Sequence, residues 1–274
     1  MVDRFRDQHK IAGSFGAVIV VTLFCLWAAP TARAEQAFPS ELPFSVGEKL
    51  IYNVEWLWFD AGRVVLNIPD IVNDGDRRLM RFTMRTTSTN VIAKIFHMDD
   101  FFESYWDMEN RIPKKLVVKI RESHTTKDKV IDFDHAAGQA VVTTDDKESE
   151  IKELNPRAQD FLSSGHFTRT WPLIPKTKIR FPVFEDNKNY NAVIKVIKKE
   201  RIRIMGGLLD TVMIIPKIKY EGAFQSRGTL YVWMTDDEYK IPVRFKMSIV
   251  VGTMVATLTS ADGVKLNLIP IEKK

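Results

Sequence analysis

The first stretch whose residue types could perform chemistry is IFHMDDFFESYWD, residues 95–107, in which three acidic side chains follow one histidine within six residues. His97, Asp99, Asp100 and Glu103 offer imidazole and carboxylate groups, which are suitable ligands for zinc or for harder divalent cations. No second histidine follows at ligand spacing, and the next three, at positions 124, 135 and 166, are isolated in the sequence. The stretch therefore predicts no metal site unless distant strands supply further ligands.

A second carboxylate cluster lies in VWMTDDEYKIPVR, residues 232–244. Asp236 and Asp237 stand between two apolar segments that alternate with a period of two, as strands do. A calcium loop of the EF-hand kind needs oxygen ligands at alternating positions and a central glycine. Here Tyr239 and Ile241 occupy that space, and no such glycine is present. Aspartate side chains accept hydrogen bonds from nearby backbone N–H groups in turns. We therefore interpret this cluster as a turn between two strands.

The segment Ser163-Ser164-Gly165-His166 gives little support for the catalytic site of a serine hydrolase, since neighbours in sequence seldom meet in triad geometry. The sequence contains no Gly-x-Ser-x-Gly elbow, and we identify neither a phosphate-binding loop nor a dinucleotide fingerprint. We therefore expect no catalytic residue, no cofactor and no enzymatic activity.

Aromatic side chains are unusually dense around positions 56–59 and 101–106. They could line a pocket for an apolar ligand or fill the core, and cores are the commoner use of aromatic residues. The sequence leaves both possibilities open. The candidates for the pocket are Trp56, Trp58, Phe101, Phe102, Tyr105 and Trp106.

The first 34 residues have the features of a secretory signal peptide. A weakly basic start precedes the apolar run IAGSFGAVIVVTLFCLWAA, which is followed by Pro30 and by Ala32-Arg33-Ala34. Small residues that flank one position are the pattern that signal peptidase recognises, so we predict cleavage after Ala34. The alternative is an uncleaved anchor, since the run approaches the length needed to span a bilayer.

Cleavage would leave residues 35–274, without a cysteine, because Cys25 is the single one in the chain. Disulfides and thiolate metal sites are then excluded, and the core alone must hold the fold. This mature chain carries 36 basic and 33 acidic residues. Because it lacks a basic patch interleaved with aromatic residues, we expect no nucleic-acid partner.

Alternation of apolar and polar residues dominates the predicted mature chain. LIYNVEW, residues 50–56, and GRVVLNI, residues 62–68, predict two neighbouring strands, and turn signals such as NDGD at 73–76 separate many further segments of this kind. The pattern is typical of antiparallel sheets and not of alternating βα units. We predict one mainly β domain over residues 35–274, built as a curved antiparallel sheet or half-open barrel with one or two short helices.

Two segments depart from the alternation. NVIAKIFH, residues 90–97, predicts a short helix or a wide turn. Residues 155–171 predict the longer helix, with Asn155 as the N-cap and Pro156 in the first helical position.

Several segments, in this order, resemble the domain-of-unknown-function family 3108. They are FSVGEKLIY at 44–52 with Trp56 and Ala61-Gly62, SYWD at 104–107, QDFLS at 159–163, Lys199-Glu200, and WMTDD at 233–237 with Ile241-Pro242-Val243. The resemblance covers nearly the whole predicted mature chain. It implies an exported, periplasmic, β-rich protein of Gram-negative bacteria, and it supplies no catalytic residue.

These observations predict a periplasmic protein that is not an enzyme and does not span the membrane after cleavage. We expect it to bind a lipid-like or other hydrophobic component of the envelope, or a partner protein. The alternative is an envelope hydrolase whose carboxylate and histidine side chains converge from distant strands. A buried cluster of that kind in a cleft would favour the enzyme, and an apolar lining would favour the binding protein.

Overall fold

The computed structural model describes residues 41–145, 147–220, 223–224, 229–248 and 252–271. This part contains one α-helix, α1 (Phe161–Arg169), a single 3₁₀ turn (Ile92–Lys94) and seventeen strands. The strands are β1 (Lys49–Trp56), β2 (Phe59–Asn67), β3 (Ile71–Asp74), β4 (Arg77–Ser88), β5 (Asp99–Asp107), β6 (Ile112–Glu122), β7 (Thr125–Asp134), β8 (Gln139–Thr144), β9 (Glu150–Glu153), β10 (Lys178–Glu185), β11 (Lys188–Ile204), β12 (Gly207–Tyr220), β13 (Ala223–Phe224), β14 (Leu230–Thr235), β15 (Pro242–Ser248), β16 (Thr253–Asp262) and β17 (Ile269–Pro270).

All ladders between these strands are antiparallel, and the long strands form one continuous sheet. Its order is β9-β8-β7-β6-β5-β4-β2-β1-β16-β15-β14-β12-β11-β10, with short β3 on β4 and short β13 and β17 on β12. Within the described residues no ladder joins β9 to β10, so the sheet is not closed into a barrel. The predicted curved antiparallel sheet is confirmed.

The sheet forms because its strands bury every second side chain, as the pleat of a strand requires. On β1 the buried side chains are Leu50, Tyr52 and Val54, whereas their neighbours face outward. The strands β1 and β2 pair directly, as predicted, and the turn between them is tighter than expected because Phe59 already belongs to β2.

The two ends of the sheet, β7–β9 and β10–β11, approach each other although no ladder joins them. The Asn189 side chain at the start of β11 donates to the carbonyl of Glu153 (2.8 Å) and accepts from the backbone N–H of Asn155 (2.8 Å). Phe184 of β10 packs edge-on against Phe133 of β7, with ring centroids 6.0 Å apart. The sheet therefore curves far enough to enclose an interior.

Helix α1 begins later than the sequence predicts. Asp160, not Asn155, is its N-cap: its carboxylate accepts from the backbone N–H of Ser163 (2.7 Å), and the Ser163 hydroxyl accepts from the Asp160 N–H (3.0 Å). Residues 156–157 form a turn, in which the Ala158 N–H donates to the Asn155 carbonyl (3.1 Å). Gln159 then pairs with β10 through both its N–H and its carbonyl. The pairing with β10 therefore prevents the helix start that Asn155-Pro156 predicts.

The predicted signal peptide and its cleavage site lie outside the described residues. In the part of the chain that is described, no helix combines the length and the apolar character that crossing a bilayer requires.

Candidate functional site

A cavity of about 620 Å³ lies inside the curved sheet, between α1 and the inner faces of nine strands. Its wall is almost wholly apolar. Representative lining residues are Leu50 and Tyr52 (β1), Leu66 (β2), Met84 (β4), Phe181 and Val183 (β10), Ala192 and Ile194 (β11), Ile214 (β12), Val232 and Met234 (β14), Phe245 and Met247 (β15), Ala256 (β16), and Phe161, Leu162 and Gly165 (α1).

The strand period explains why these side chains converge. On β14 the residues that line the cavity are Leu230, Val232 and Met234, each two positions after the last. The cavity is closed at the level of Tyr52 and Met234, which are buried. It opens at the level of Leu230 and Met247, because Met247 lines the cavity and is also exposed.

The closed end contains a buried ion pair whose hydrogen-bonding groups are engaged within the protein. The guanidinium of Arg169 donates to both carboxylate oxygens of Glu48 (2.5 and 2.9 Å) and to the carbonyls of Pro43 and Tyr239 (2.9 Å each). Both charged side chains are only about 2% exposed or less. Burial raises the pKa of Tyr52, which stays protonated and donates to the Pro242 carbonyl (2.7 Å).

His166 is a polar residue of the cavity wall, and one of its ring nitrogens accepts and donates no hydrogen bond. It is 6% exposed and stacks on Phe82 with ring centroids 3.9 Å apart, and its buried Nδ1 has no hydrogen-bond partner. Burial, followed by the nearby charge of Arg169, lowers its pKa well below the usual value. The imidazole is therefore neutral at physiological pH.

Glu185, the last residue of β10, is an acidic side chain of the wall. Burial is the largest cause that raises its pKa to about 7, and the negative charges of Asp186 and Asp160 add to it. Lys129 of β7 acts in the opposite direction and has its own pKa lowered by burial. The carboxyl group of Glu185 therefore titrates near neutral pH.

The six sequence-predicted pocket residues are not among those that line this cavity. Trp106 is fully buried in the main core cluster, where Phe102 packs against it from the same face of β5. Phe101 and Tyr105 occupy the opposite face of that strand. Trp58 is 77% exposed at the β1–β2 turn, and Trp56 is partly buried at the end of β1. Aromatic side chains that are adjacent in the sequence therefore lie on opposite faces of β5.

The carboxylates of the stretch 95–107 are occupied by partners within the protein. Arg85 holds Asp99 in a two-bond ion pair (2.7 Å each), and Arg81 donates to Glu103 (3.0 Å). Asp100 accepts from the backbone N–H of Arg121 (2.9 Å). Over the described ranges no group of three or more His, Cys, Asp and Glu side chains converges on a point where a metal ion could bind.

The turn predicted at Asp236 and Asp237 is present between β14 and β15. Asp237 accepts from the backbone N–H groups of Tyr239 and Lys240 (3.0 Å each) and from the Thr235 hydroxyl (2.6 Å). Asp236 forms an ion pair with Lys199 (2.8 Å).

The sequence profile of a family described as "Protein of unknown function (DUF3108)" matches residues 51–259, which is most of the chain. The chain belongs to the DUF3108 family. The predicted resemblance to domain-of-unknown-function family 3108 is thereby confirmed. No match is found among the curated proteins.

Solved structures resemble this member of DUF3108 in fold. One is a β-barrel-like protein of the domain of unknown function DUF1849 from Brucella abortus, with 13% identity and a TM-score of 0.53, covering 79% of this chain and 97% of that one. A protein with a YmcC-like fold from Bacteroides fragilis shows 7% identity and a TM-score of 0.35, covering 82% and 99%. At such identity the first likeness shows a shared barrel-like fold and nothing further.

Sequence reasoning allowed an apolar pocket but missed the residues that line this cavity, because they are ordinary strand residues. Val232 and Ile194 have no feature that distinguishes a pocket wall from a core position. The one local signal is Gly165 in α1: a Cβ at that position would meet no atom within 4 Å, so the helix surface stays open there.

Proposed function

We propose that this DUF3108 protein binds a lipid-like ligand in the cavity and performs no catalysis. The observation that carries the proposal is an apolar wall around about 620 Å³, within the range of known small-molecule sites. Burial of an aliphatic chain there gains about 25 cal/mol for each Å² of apolar surface removed from water.

The size of the cavity supports a ligand with a single long chain. At about 30 Å³ for a water-sized group, the volume corresponds to roughly twenty non-hydrogen atoms. That matches one fatty acyl chain better than a phospholipid with two chains. The engaged polar groups at the closed end, Arg169 with Glu48 and Tyr52 with Pro242, favour a chain that enters with its apolar end first.

The place of action that we propose is the periplasm. Its support is the signal-peptide pattern of residues 1–34, with cleavage after Ala34. A ligand with a long acyl chain is a component of the envelope that surrounds this compartment.

The absence of catalysis is also part of the proposal. An envelope hydrolase would bring a histidine and a carboxylate into hydrogen-bonding contact in a cleft. In this cavity the Nδ1 atom of His166 has no partner, and its ring stacks on Phe82. The geometry supports a wall residue more than a general base.

The proposal can be tested by filling the cavity. Ala256 lines it from β16, whereas the next residue, Thr257, faces the outside. We expect Ala256→Phe to weaken binding of a fluorescent fatty-acid probe by about tenfold or more, because the new ring takes the volume of the chain. Probe titrations on protein stripped of lipid would measure this.

Thr257→Phe is the matched control, with the same added ring on the other face of the same strand, and we expect its affinity to equal the wild type. Ala192→Phe repeats the test from β11 in case Ala256→Phe fails to fold. Stripped wild-type protein that takes up no probe would show the proposal to be wrong, as would a folded cavity-filled variant with unchanged affinity.

A further inference from the structure

Two neighbouring turns display large apolar side chains to solvent. We call their six residues the rim patch: Leu57, Trp58, Phe59, Val91, Ile95 and Phe96. Trp58 is 77% exposed, Val91 72% and Ile95 82%, values that are unusual for side chains of this size. Contiguous exposed apolar surface of this kind marks a site of interaction.

The two turns are fixed to one another by hydrogen bonds. The backbone N–H of Thr89 donates to the carbonyl of Ala61, and the Thr89 hydroxyl donates to the carbonyl of Asp60 (3.0 Å each). The loop of residues 89–98 therefore stands directly beside the β1–β2 turn, and the six side chains belong to one region of the surface.

The rim patch lies at the end of the sheet where the cavity opens. The backbone N–H of Leu57 donates to the carbonyl of Thr253 (3.0 Å), at the start of β16. Met254, the next residue, pairs with Met247, which lines the cavity at its open end. A Cβ on Gly252 would collide with the Leu57 side chain, so the β1–β2 turn packs closely on Gly252, the residue before β16.

We propose that the rim patch docks onto the surface of a lipid bilayer, next to the opening of the cavity. Tryptophan and phenylalanine at the tips of turns are suited to the boundary between headgroups and acyl chains. Lys94, between Val91 and Ile95, is exposed and supplies a positive charge for anionic headgroups. The loading of a chain from that bilayer into the cavity rests on the proposed function, whereas the docking itself does not.

The remaining N-terminal residues of the proposed mature chain are too short to cover the patch. Six residues, 35–40, precede Glu41, and they span about 22 Å at most. The chain enters β1 at the end opposite Trp56, and the eight residues of β1 extend about 26 Å. We therefore assign the cover of the rim patch to an outside partner, and a bilayer suits turn tips that project beside an apolar opening.

The test is sedimentation with vesicles of phosphatidylcholine, with and without phosphatidylglycerol, using the protein that begins at Glu35. We expect wild-type protein to bind, more strongly with phosphatidylglycerol, and the double variant Trp58→Ser, Ile95→Ser to lose about tenfold or more of its partitioning. The matched control is Ile151→Ser, Ile174→Ser, which removes two exposed apolar side chains away from the rim patch. We expect it to bind as the wild type does.

Two further measurements separate this proposal from the function of the cavity. The rim-patch variant should keep its affinity for the soluble fatty-acid probe, and Ala256→Phe should keep its binding to vesicles. Wild-type protein that stays in the supernatant with both vesicle types would overturn the docking proposal. So would equal losses in the rim-patch and control variants, or capture of a stoichiometric envelope protein by the rim patch in place of vesicles.

Discussion

At the scale of single side chains, two charged residues of the cavity wall, Arg169 and Glu185, are in contrasting surroundings. Arg169 is matched by a carboxylate and two carbonyls, so its charge is neutralised within the fold. Glu185 is held in a partly buried position where the negative charges of Asp186 and Asp160 oppose its ionisation. Arg169 therefore needs no partner from outside the fold, whereas Glu185 makes its part of the wall sensitive to pH.

Glu185 should make the free energy of unfolding depend on pH. Its pKa is raised from the ordinary value of 4.5 to about 7 in the folded protein. The protonated form is therefore favoured by folding, so this contribution is fully present below about pH 4.5 and is lost as the pH rises through 7. We expect Glu185→Gln to match the wild type near pH 4.5 and to exceed its free energy of unfolding at pH 8 by up to about 3 kcal/mol.

Urea unfolding at the two pH values would measure the difference between variant and wild type. Glu148→Gln, at an exposed position, is the control and should shift both values equally. A Glu185→Gln variant whose difference from the wild type is the same at both pH values would contradict the assignment.

The strand β5 shows what sequence could and could not predict at the scale of elements. Alternation along the chain correctly predicted most strands and their antiparallel arrangement. The same alternation was not applied to Phe101, Phe102, Tyr105 and Trp106, which were treated as one cluster because they are adjacent. On a strand, neighbours point to opposite faces, so Phe102 and Trp106 join the core and the other two do not.

This division of β5 predicts unequal effects of truncation. We expect Trp106→Ala to lower the free energy of unfolding by about 3–5 kcal/mol, because it leaves a large cavity in the main core cluster. Phe101→Ala, on the other face and only partly buried, should cost about 1 kcal/mol. Chemical unfolding of both variants would show the contrast, and similar losses at the two positions would contradict the assigned faces.

The start of α1 illustrates a second limit of local sequence signals. An Asn-Pro pair marks a helix start in most contexts, yet here residues 155–160 bridge two strands that are distant in sequence. The backbone of Gln159 pairs with Pro182 and Phe184 of β10, and the Asp160 carboxylate accepts from Ser104 of β5 (2.5 Å). No local sequence pattern predicts such contacts, because they depend on how far the whole sheet curves.

At the scale of the whole molecule, the segment around Gln159 holds the open side of the curved sheet together. The Gln159 side chain accepts from Trp106 Nε1 (3.2 Å) on β5 and donates to the carbonyl of Arg111 (2.9 Å), while its backbone extends β10. One residue therefore connects the strands on both sides of the gap. We expect the cavity to depend on this connection, because its wall includes β10 and also β4, the neighbour of β5 in the sheet.

Replacing Gln159 should therefore loosen the closure of the sheet more than an ordinary surface change would. Gln159→Leu keeps the size of the side chain but removes the acceptor of the Trp106 indole N–H and the donor to the Arg111 carbonyl, at about 1–3 kcal/mol for each lost bond of a buried group. We expect the free energy of unfolding to fall by about 2–4 kcal/mol, and the amides of Gln159 and Phe184 to exchange hydrogen faster than those of β1. Gln139→Leu, at an exposed position on β8, is the matched control and should leave both measurements unchanged. If exchange at Phe184 stays as slow as in the wild type, the open side is held by other contacts and Gln159 is only a core residue.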